Sequence, residues 1–174
     1  MANMTQMDET AFASFYDSTK RQLWLYIVKI AGDASAADDI FQESYVKFLQ
    51  QAPRESNEHA MKSYLYRIAT NLINDHWRRK KRTRKWFSAE SGEPEAQNGT
   101  EAIDMRHDIK DALRHLAPQQ RAMVWLAYVE EYTHREIADM LKVKENSVKV
   151  LLHRAKQKLL EIFKHKGITP EVMP

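Results

Sequence analysis

The chain has no cysteine among its 174 residues. Disulfides, thiolate metal ligands and cysteine nucleophiles are excluded at once. Glycine and proline are scarce, at 4 and 5 residues. With few β-branched alternations beside them, that scarcity predicts an all-α fold. No stretch has the apolar length a membrane span needs. The opening residues, MANMTQMDET, show no basic segment followed by an apolar one. The expectation is a cytoplasmic protein with no membrane insertion. No phosphate-cradling glycine loop and no nucleophile–base pair is found, so neither an enzyme nor a cofactor is expected.

What is present is apolar sequence for real cores, 43% of residues, with 29% charged. The net charge is only +3, although the sequence pI is about 9.0. Interest therefore shifts from the sum of charge to its placement.

The most asymmetric stretch runs from Ser63 to Lys85. Leu65, Ile68, Ala69, Leu72, Ile73 and Trp77 recur at the spacing that places them on one helix face. Arg67, Asn71, Asn74 and Arg78 follow the same spacing on the opposite face. A dense basic run follows, with Arg79, Lys80, Lys81, Arg82, Arg84 and Lys85 after Arg78. Such a run is solvated or neutralised by a polyanion, and phosphate backbones gain most from it through counterion release. A solvated basic cap fits the same pattern.

Upstream, residues 8–31 read as one or two helices ending at Gly32, a C-cap glycine. Ser35 is expected to start the next helix, with Asp38 three residues on. In the helix from about Ala36 to Gln50, Ala37, Ile40, Phe41, Ser44 and Phe48 point to a core. Asp39, Gln42, Glu43, Val46 and Gln50 point away. That outer face is either solvated or a docking surface with Val46 as its apolar anchor. A polar loop then leads to a helix start at Ser56 or Asn57.

After the basic run, SAESGEPEAQNGTEAID has the composition of a flexible acidic linker. From Met105 a second helical block begins, with Ile109, Ala112, Leu113 and Leu116 on one face. Pro118 suits the first position of the following helix. Thr133 and Glu136 form a capping box that opens a short helix through Leu141, with Ile137 and Ala138 inward. A turn over Lys142–Lys144 leads to a longer helix from Glu145 to Phe163. Val148, Leu151, Leu152, Ala155, Leu159 and Ile162 face the core; Asn146, Lys149, Val150, His153, Arg154 and Gln157 face out. Short helix, tight turn and longer basic helix is the geometry that lays a recognition helix in the major groove. An ordinary helical hairpin fits the spacing too.

Five segments then resemble one family in order and at the right separations. Ala37 to Tyr45 is similar to the A-x-D-[LI]-x-Q-[ED]-x-[FY] segment of the extracytoplasmic-function sigma factors, the small two-domain class of bacterial sigma factors. Tyr64 to Asn71 resembles their Y/W-L-Y-x-I-A-x-N segment. Ala112-Leu113, Leu116-Ala117-Pro118 and Arg121 resemble the opening of the fourth region. Tyr132 to Ala138 and Ser147 to Ala155 resemble its helix–turn–helix. Together they cover roughly residues 8–85 and 105–163. The resemblance implies sigma region 2 over 1–87, a linker over 88–104, sigma region 4 over 105–166 and a tail over 167–174.

It also implies roles. Asp39, Gln42, Glu43 and Val46 would dock on the β′ clamp helices of core RNA polymerase. Asn57, Arg67, Asn71 and Asn74 would open and hold the minus-ten element of promoter DNA, with Arg78, Arg79 and Lys81 on phosphates. Asn146, Ser147, Lys149, Val150, His153 and Arg154 would read the minus-thirty-five element, in a domain that also meets the β flap. An anti-sigma factor would mask both surfaces. Two departures stand out. The loop Pro53 to Glu58 has neither the aromatic nor the glycine common in the family. The recognition helix has Val150 and Leu151 where a serine and an arginine are usual, so an unusual upstream element is expected, with Val150 against a thymine methyl. The competing readings are a helix–turn–helix regulator acting without core polymerase, and a metalloenzyme using His107, Asp111 and His115, which recur every fourth residue.

Overall fold

The computed structural model describes residues 8–51, 57–87 and 112–165, with side chains described to Thr83 in the second of these segments. Every regular element among them is an α-helix. They are α1 (Glu9–Ala31), α2 (Ala34–Gln51), α3 (Glu58–Phe87), α4 (Pro118–Tyr128), α5 (His134–Leu141) and α6 (Glu145–His165).

Helices α1, α2 and α3 pack on one another as the first half. Leu23, Tyr26 and Ile27 of α1, Phe48 of α2, and Leu65 and Ile73 of α3 are buried in its centre. Each such side chain contributes roughly 1.5–3 kcal/mol on leaving water. Phe15 and Phe48 stack with ring centroids 4.9 Å apart. Interior hydroxyls are paired: those of Thr19 and Tyr45 meet at 2.7 Å, and so do those of Tyr26 and Thr70.

Residues 8–31 form one helix, not two. It ends as expected at Gly32, whose φ of +69° is left-handed and whose N–H donates to the Val28 carbonyl at 3.1 Å. The start of α2 differs from the sequence reading. Asp33 caps it, accepting from the Ser35 and Ala36 N–H groups at 3.1 and 3.3 Å. Asp33 lies one place before the first helical residue, where its carboxylate reaches these unpaired donors; Ser35 is already inside the helix. Asn57 caps α3 by accepting from the Ala60 N–H at 2.8 Å. The basic run does not end the helix: α3 continues through it to Phe87. Lysine and arginine are good helix formers, and no Gly or Pro interrupts the stretch.

In the second half, Ala122, Met123 and Leu126 of α4, Ile137 and Leu141 of α5, and Val148 and Leu152 of α6 are buried. Leu151 and Ile162, expected inside, are half-exposed at the edge of the packed face. Pro118 opens α4 as expected. Thr133 and Glu136 form the capping box: the Glu136 N–H donates to Thr133 Oγ1 at 3.3 Å, and the Thr133 N–H to Glu136 Oε2 at 2.8 Å. Burial pushes the Glu136 carboxyl up, but the Thr133 and His59 hydrogen bonds outweigh it and leave the group below its usual value. Lys142 takes the left-handed conformation after α5, with φ of 54°.

The two halves share one continuous buried cluster, with α1 against α4 and α3 against α5. A smaller cluster joins Ala112 and Leu116 to Leu159 and Phe163 of α6. The segments read as linker and tail, and the loop over 52–56, lie outside the described residues. So do Ile109, His107 and Asp111; among the described residues no histidine–carboxylate cluster could hold a metal.

Candidate nucleic-acid interface

The strip expected on α3 is formed, with unequal exposure along it. Arg67 is exposed, its guanidinium 5.0 Å from the Tyr64 ring centroid. Asn71 and Asn74 are half-buried. Together with Asp75, Trp77, Arg78, Lys80 and Lys81 they form one wall of a groove, and Ala117, Pro118, Gln119, Leu141 and Lys142 form the other. The lining is cationic and amide-rich, so it suits a phosphate-bearing strand with base edges to satisfy. Arg78 pairs with Asp75 at 3.3 Å, an exposed contact worth little. Lys80 lies 5.6 Å from the Trp77 ring centroid.

A second groove joins α2 to α3. Glu43 and Lys47 form one side, and Leu72, Asp75, Arg78, Arg79, Lys81 and Arg82 the other. The structure therefore brings Glu43, expected on the polymerase face, beside Arg78, Arg79 and Lys81, expected on phosphates. Glu43 also pairs with Lys47 at 3.2 Å. The rest of that face, Asp39, Gln42 and Val46, is exposed, with Val46 at 53%. Leu49 extends the apolar anchor and is also exposed. The sequence reading passed over it, although it lies one turn after Val46 and its spacing was the available signal.

Asn57 is exposed, but its side-chain oxygen is engaged in the α3 cap. On α6, Asn146, Lys149, Val150, His153 and Arg154 are exposed, while Ser147 is half-buried with its N–H donated to the Lys144 carbonyl at 2.9 Å. The α6 set and the α3 set are not brought together. It is α5 that packs on α3, and no α6 residue lines the groove. No helix among the described residues is long and apolar enough to cross a membrane.

Comparison with known proteins fits this geometry. Residues 15–83 match the family model for Sigma-70 region 2, and residues 106–159 match Sigma-70, region 4. The ECF RNA polymerase sigma factor SigL of Mycobacterium tuberculosis is 32% identical over 163 residues, covering 90% of each chain. SigW of Bacillus subtilis is 25% identical over 166 residues, covering 87% of this chain and 88% of its own. The fold is similar to that of RpoE from Bartonella quintana, solved with the anti-sigma factor NepR, at a TM-score of 0.71 and 20% identity over 88% of this chain and 96% of that one. It is also similar to CnrH, solved with the cytosolic domain of CnrY, at a TM-score of 0.64 and 17% identity over 91% and 90%.

Proposed function

Because the chain belongs to the extracytoplasmic-function class of sigma-70 factors, we propose a division of labour among the surfaces described above. The protein is an RNA polymerase sigma factor that directs promoter-specific initiation. Its first half, residues 1–87, carries polymerase docking on α2 and minus-ten melting on α3. Its second half, residues 105–166, reads the minus-thirty-five element with α6 and meets the β flap.

Asp39, Gln42, Glu43 and Val46 dock on the β′ clamp helices: apolar Val46 and Leu49 supply burial, and the carboxylates and amides select the partner. Asn71 and Asn74, set on a rigid helix above a cationic wall, hold bases of the opened strand. Unstacking costs a few kcal/mol, which base-edge hydrogen bonds and stacking offset. Arg78, Arg79 and Lys81 hold the strand's phosphates. Asn146, Lys149, Val150, His153 and Arg154 face the major groove, Ser147 lies at its edge, and Asn57 joins the minus-ten contacts once its cap rearranges. The solved relatives bound to anti-sigma proteins make an anti-sigma factor the expected regulator. The protein acts in the cytoplasm, where core polymerase is, and has no catalytic centre of its own.

The observation that carries this reading is that the first half presents two polar faces, the exposed face of α2 around Val46 and the amide and basic strip of α3. A regulator acting without polymerase needs neither. Run-off transcription with bacterial core polymerase tests it. Specific starts that core alone does not make are expected, with Val46→Asp lost in core binding and Asn71→Ala lost in open-complex formation. Tight DNA binding without directed initiation would favour the plain regulator instead.

A further inference from the structure

The groove between α3 and the second half encloses about 940 Å³. Small-molecule sites run from roughly 300 to 1,000 Å³ and favour the junction of two domains. The walls of this one are fixed to each other along the seam where the halves meet. The buried apolar cluster runs across that seam. Glu130, on the connection between α4 and α5, has a side chain only 2% exposed, and its Oε2 lies 2.9 Å from Lys62 Nζ of α3. The Tyr66 hydroxyl donates to Glu130 Oε1 at 2.7 Å. Arg121 Nη1 of α4 donates to the Lys29 carbonyl, at the end of α1, at 3.1 Å. The groove is therefore preformed.

Its lining combines three chemistries. Arg78, Lys80, Lys81 and Lys142 bring positive charge against one carboxylate, Asp75. Arg78 pairs with that carboxylate at 3.3 Å, and Lys80 lies 3.9 Å from Asp33. Among the described residues Lys81 and Lys142 have no ion-pair partner, so they carry the charge left over. Asn71, Asn74 and Gln119 bring amides, which both donate and accept. No protein hydrogen bond engages the Asn71 or Asn74 side chain among the described residues. Trp77, Pro118 and Leu141 bring apolar surface. Trp77 Cζ2 lies 4.0 Å from where a Cβ on Gly32 would stand, so the indole is seated against the end of α1. Its Nε1 is buried without a partner. The groove thus borders a donor that the protein itself leaves unpaired, an arrangement that is costly without an acceptor from outside.

We propose that this groove is a binding site for a free nucleoside polyphosphate. The unpaired lysines take the phosphates, the Asn71 and Asn74 amides take the edge of the base, and the apolar strip covers its face. Inorganic phosphate uses only the first of these chemistries, and an uncharged apolar molecule only the last. Lys81 lies about 15 Å beyond Asn71 along α3, at 1.5 Å per residue, which leaves room for a base at one end and phosphates at the other. Lys142 and Pro118 come from the second half, so the site is complete only where both walls are present. The inference rests on the sigma reading at one point: Asn71 and Asn74 are also the residues proposed to hold the opened strand. Nucleotide and strand therefore exclude each other.

Equilibrium dialysis of the full chain against ATP and against GTP tests the site. Binding of one nucleotide per chain is expected, saturating below millimolar concentration. Lys142→Asn removes the charge while keeping a residue that tolerates the left-handed φ of 54° at this position. It should weaken binding about tenfold or more, as should Asn74→Ala on the opposite wall. Lys158→Ala, exposed on α6 and away from the groove, should leave binding unchanged. Circular dichroism checks that each variant is folded. Adenosine or tripolyphosphate alone should compete at least about tenfold more weakly than ATP. Absence of binding, or equal binding by all three variants, overturns the site. Tripolyphosphate competing as well as ATP, with Asn74→Ala inert, reduces it to charge alone and overturns it too. These measurements use neither polymerase nor promoter, so a failure here is told apart from a failure of the sigma reading, which run-off transcription by the unaltered chain decides.

Discussion

Helices α3 and α6 both carry basic and amide side chains on their outer faces, yet they stand in opposite situations. On α6, every proposed contact residue except Ser147 is exposed, and none lines the groove beside α3. On α3, Asn71 and Asn74 are half-buried in a groove whose far wall is the second half of the same molecule. A face shared with an intramolecular seam is only as available as that seam is open. A face outside it is available in any state. The upstream contact proposed for α6 is therefore independent of the packing of the halves, and the strand contact proposed for α3 depends on it.

The strongest way to break this distinction is to damage one half and watch the other. Phe48→Ala empties a site that is fully buried and stacked on Phe15. It should cost about 3–5 kcal/mol, read by hydrogen exchange in α1, α2 and α3. Amides of α6 should lose much less protection. Equal losses in both halves would mean one cooperative unit and no separable seam.

Charge removal comes next. Replacing Arg78, Arg79 and Lys81 together by alanine should lower the slope of log K against log salt by about 2 to 3, at roughly 0.7–0.9 per phosphate contact. Replacing Lys149 and Arg154 should lower it by about 1 to 2. With the halves cross-linked shut, the first effect should shrink and the second persist.

Alkaline pH probes the seam without mutation. Burial raises the Tyr66 hydroxyl above its usual value of 10.0, with the Glu130 carboxylate adding to it, and burial does the same for Tyr132 and Tyr26. Tyr45 in the first core is pushed up by burial to about 12. A raised folded value means the opened chain loses the proton first. The stability these groups contribute is complete below pH 10 and is lost as pH rises through the folded values. Tyrosinate absorbance should thus rise late and together with the loss of helical circular dichroism. A rise at the ordinary tyrosine value with unchanged dichroism would contradict the buried seam.

The smallest effect on stability is expected at Val150, half-exposed on α6. Val150→Ser should change folding free energy by less than about 0.5 kcal/mol. It should nonetheless weaken preference for thymine at one upstream position, since the methyl contact is lost. An unchanged preference in selection from random promoters removes Val150 from the readout.

Much of this molecule was legible in its residues. The spacing of Leu65, Ile68, Leu72 and Ile73 marked the buried face of α3, and Thr133 with Glu136 marked the start of α5. Gly32 and Pro118 marked a helix end and a helix start. These signals are local: periodicity, capping and backbone preference act within a few residues. The same periodicity set the exposed faces of α2 and α6.

Glu130 and Lys62 carried no such signal, and the motifs that include Tyr66 and Arg121 did not show what those side chains meet. Neither Glu130 nor Lys62 falls in a pattern that local spacing picks out, because the partners that pair them lie 60 or more positions away in sequence. Capping at Asp33 instead of Ser35 was settled by where the turn after Gly32 placed the carboxylate. By itself the sequence determined the helices, their inward faces and the family, since each rests on neighbours along the chain. Only the tertiary structure decided that the halves meet, which charges the meeting buries, and that Asn71 and Asn74 of α3 are half-buried while the outer face of α6 is exposed. Those outcomes depend on contacts between distant segments, whose desolvation and pairing energies no local pattern encodes.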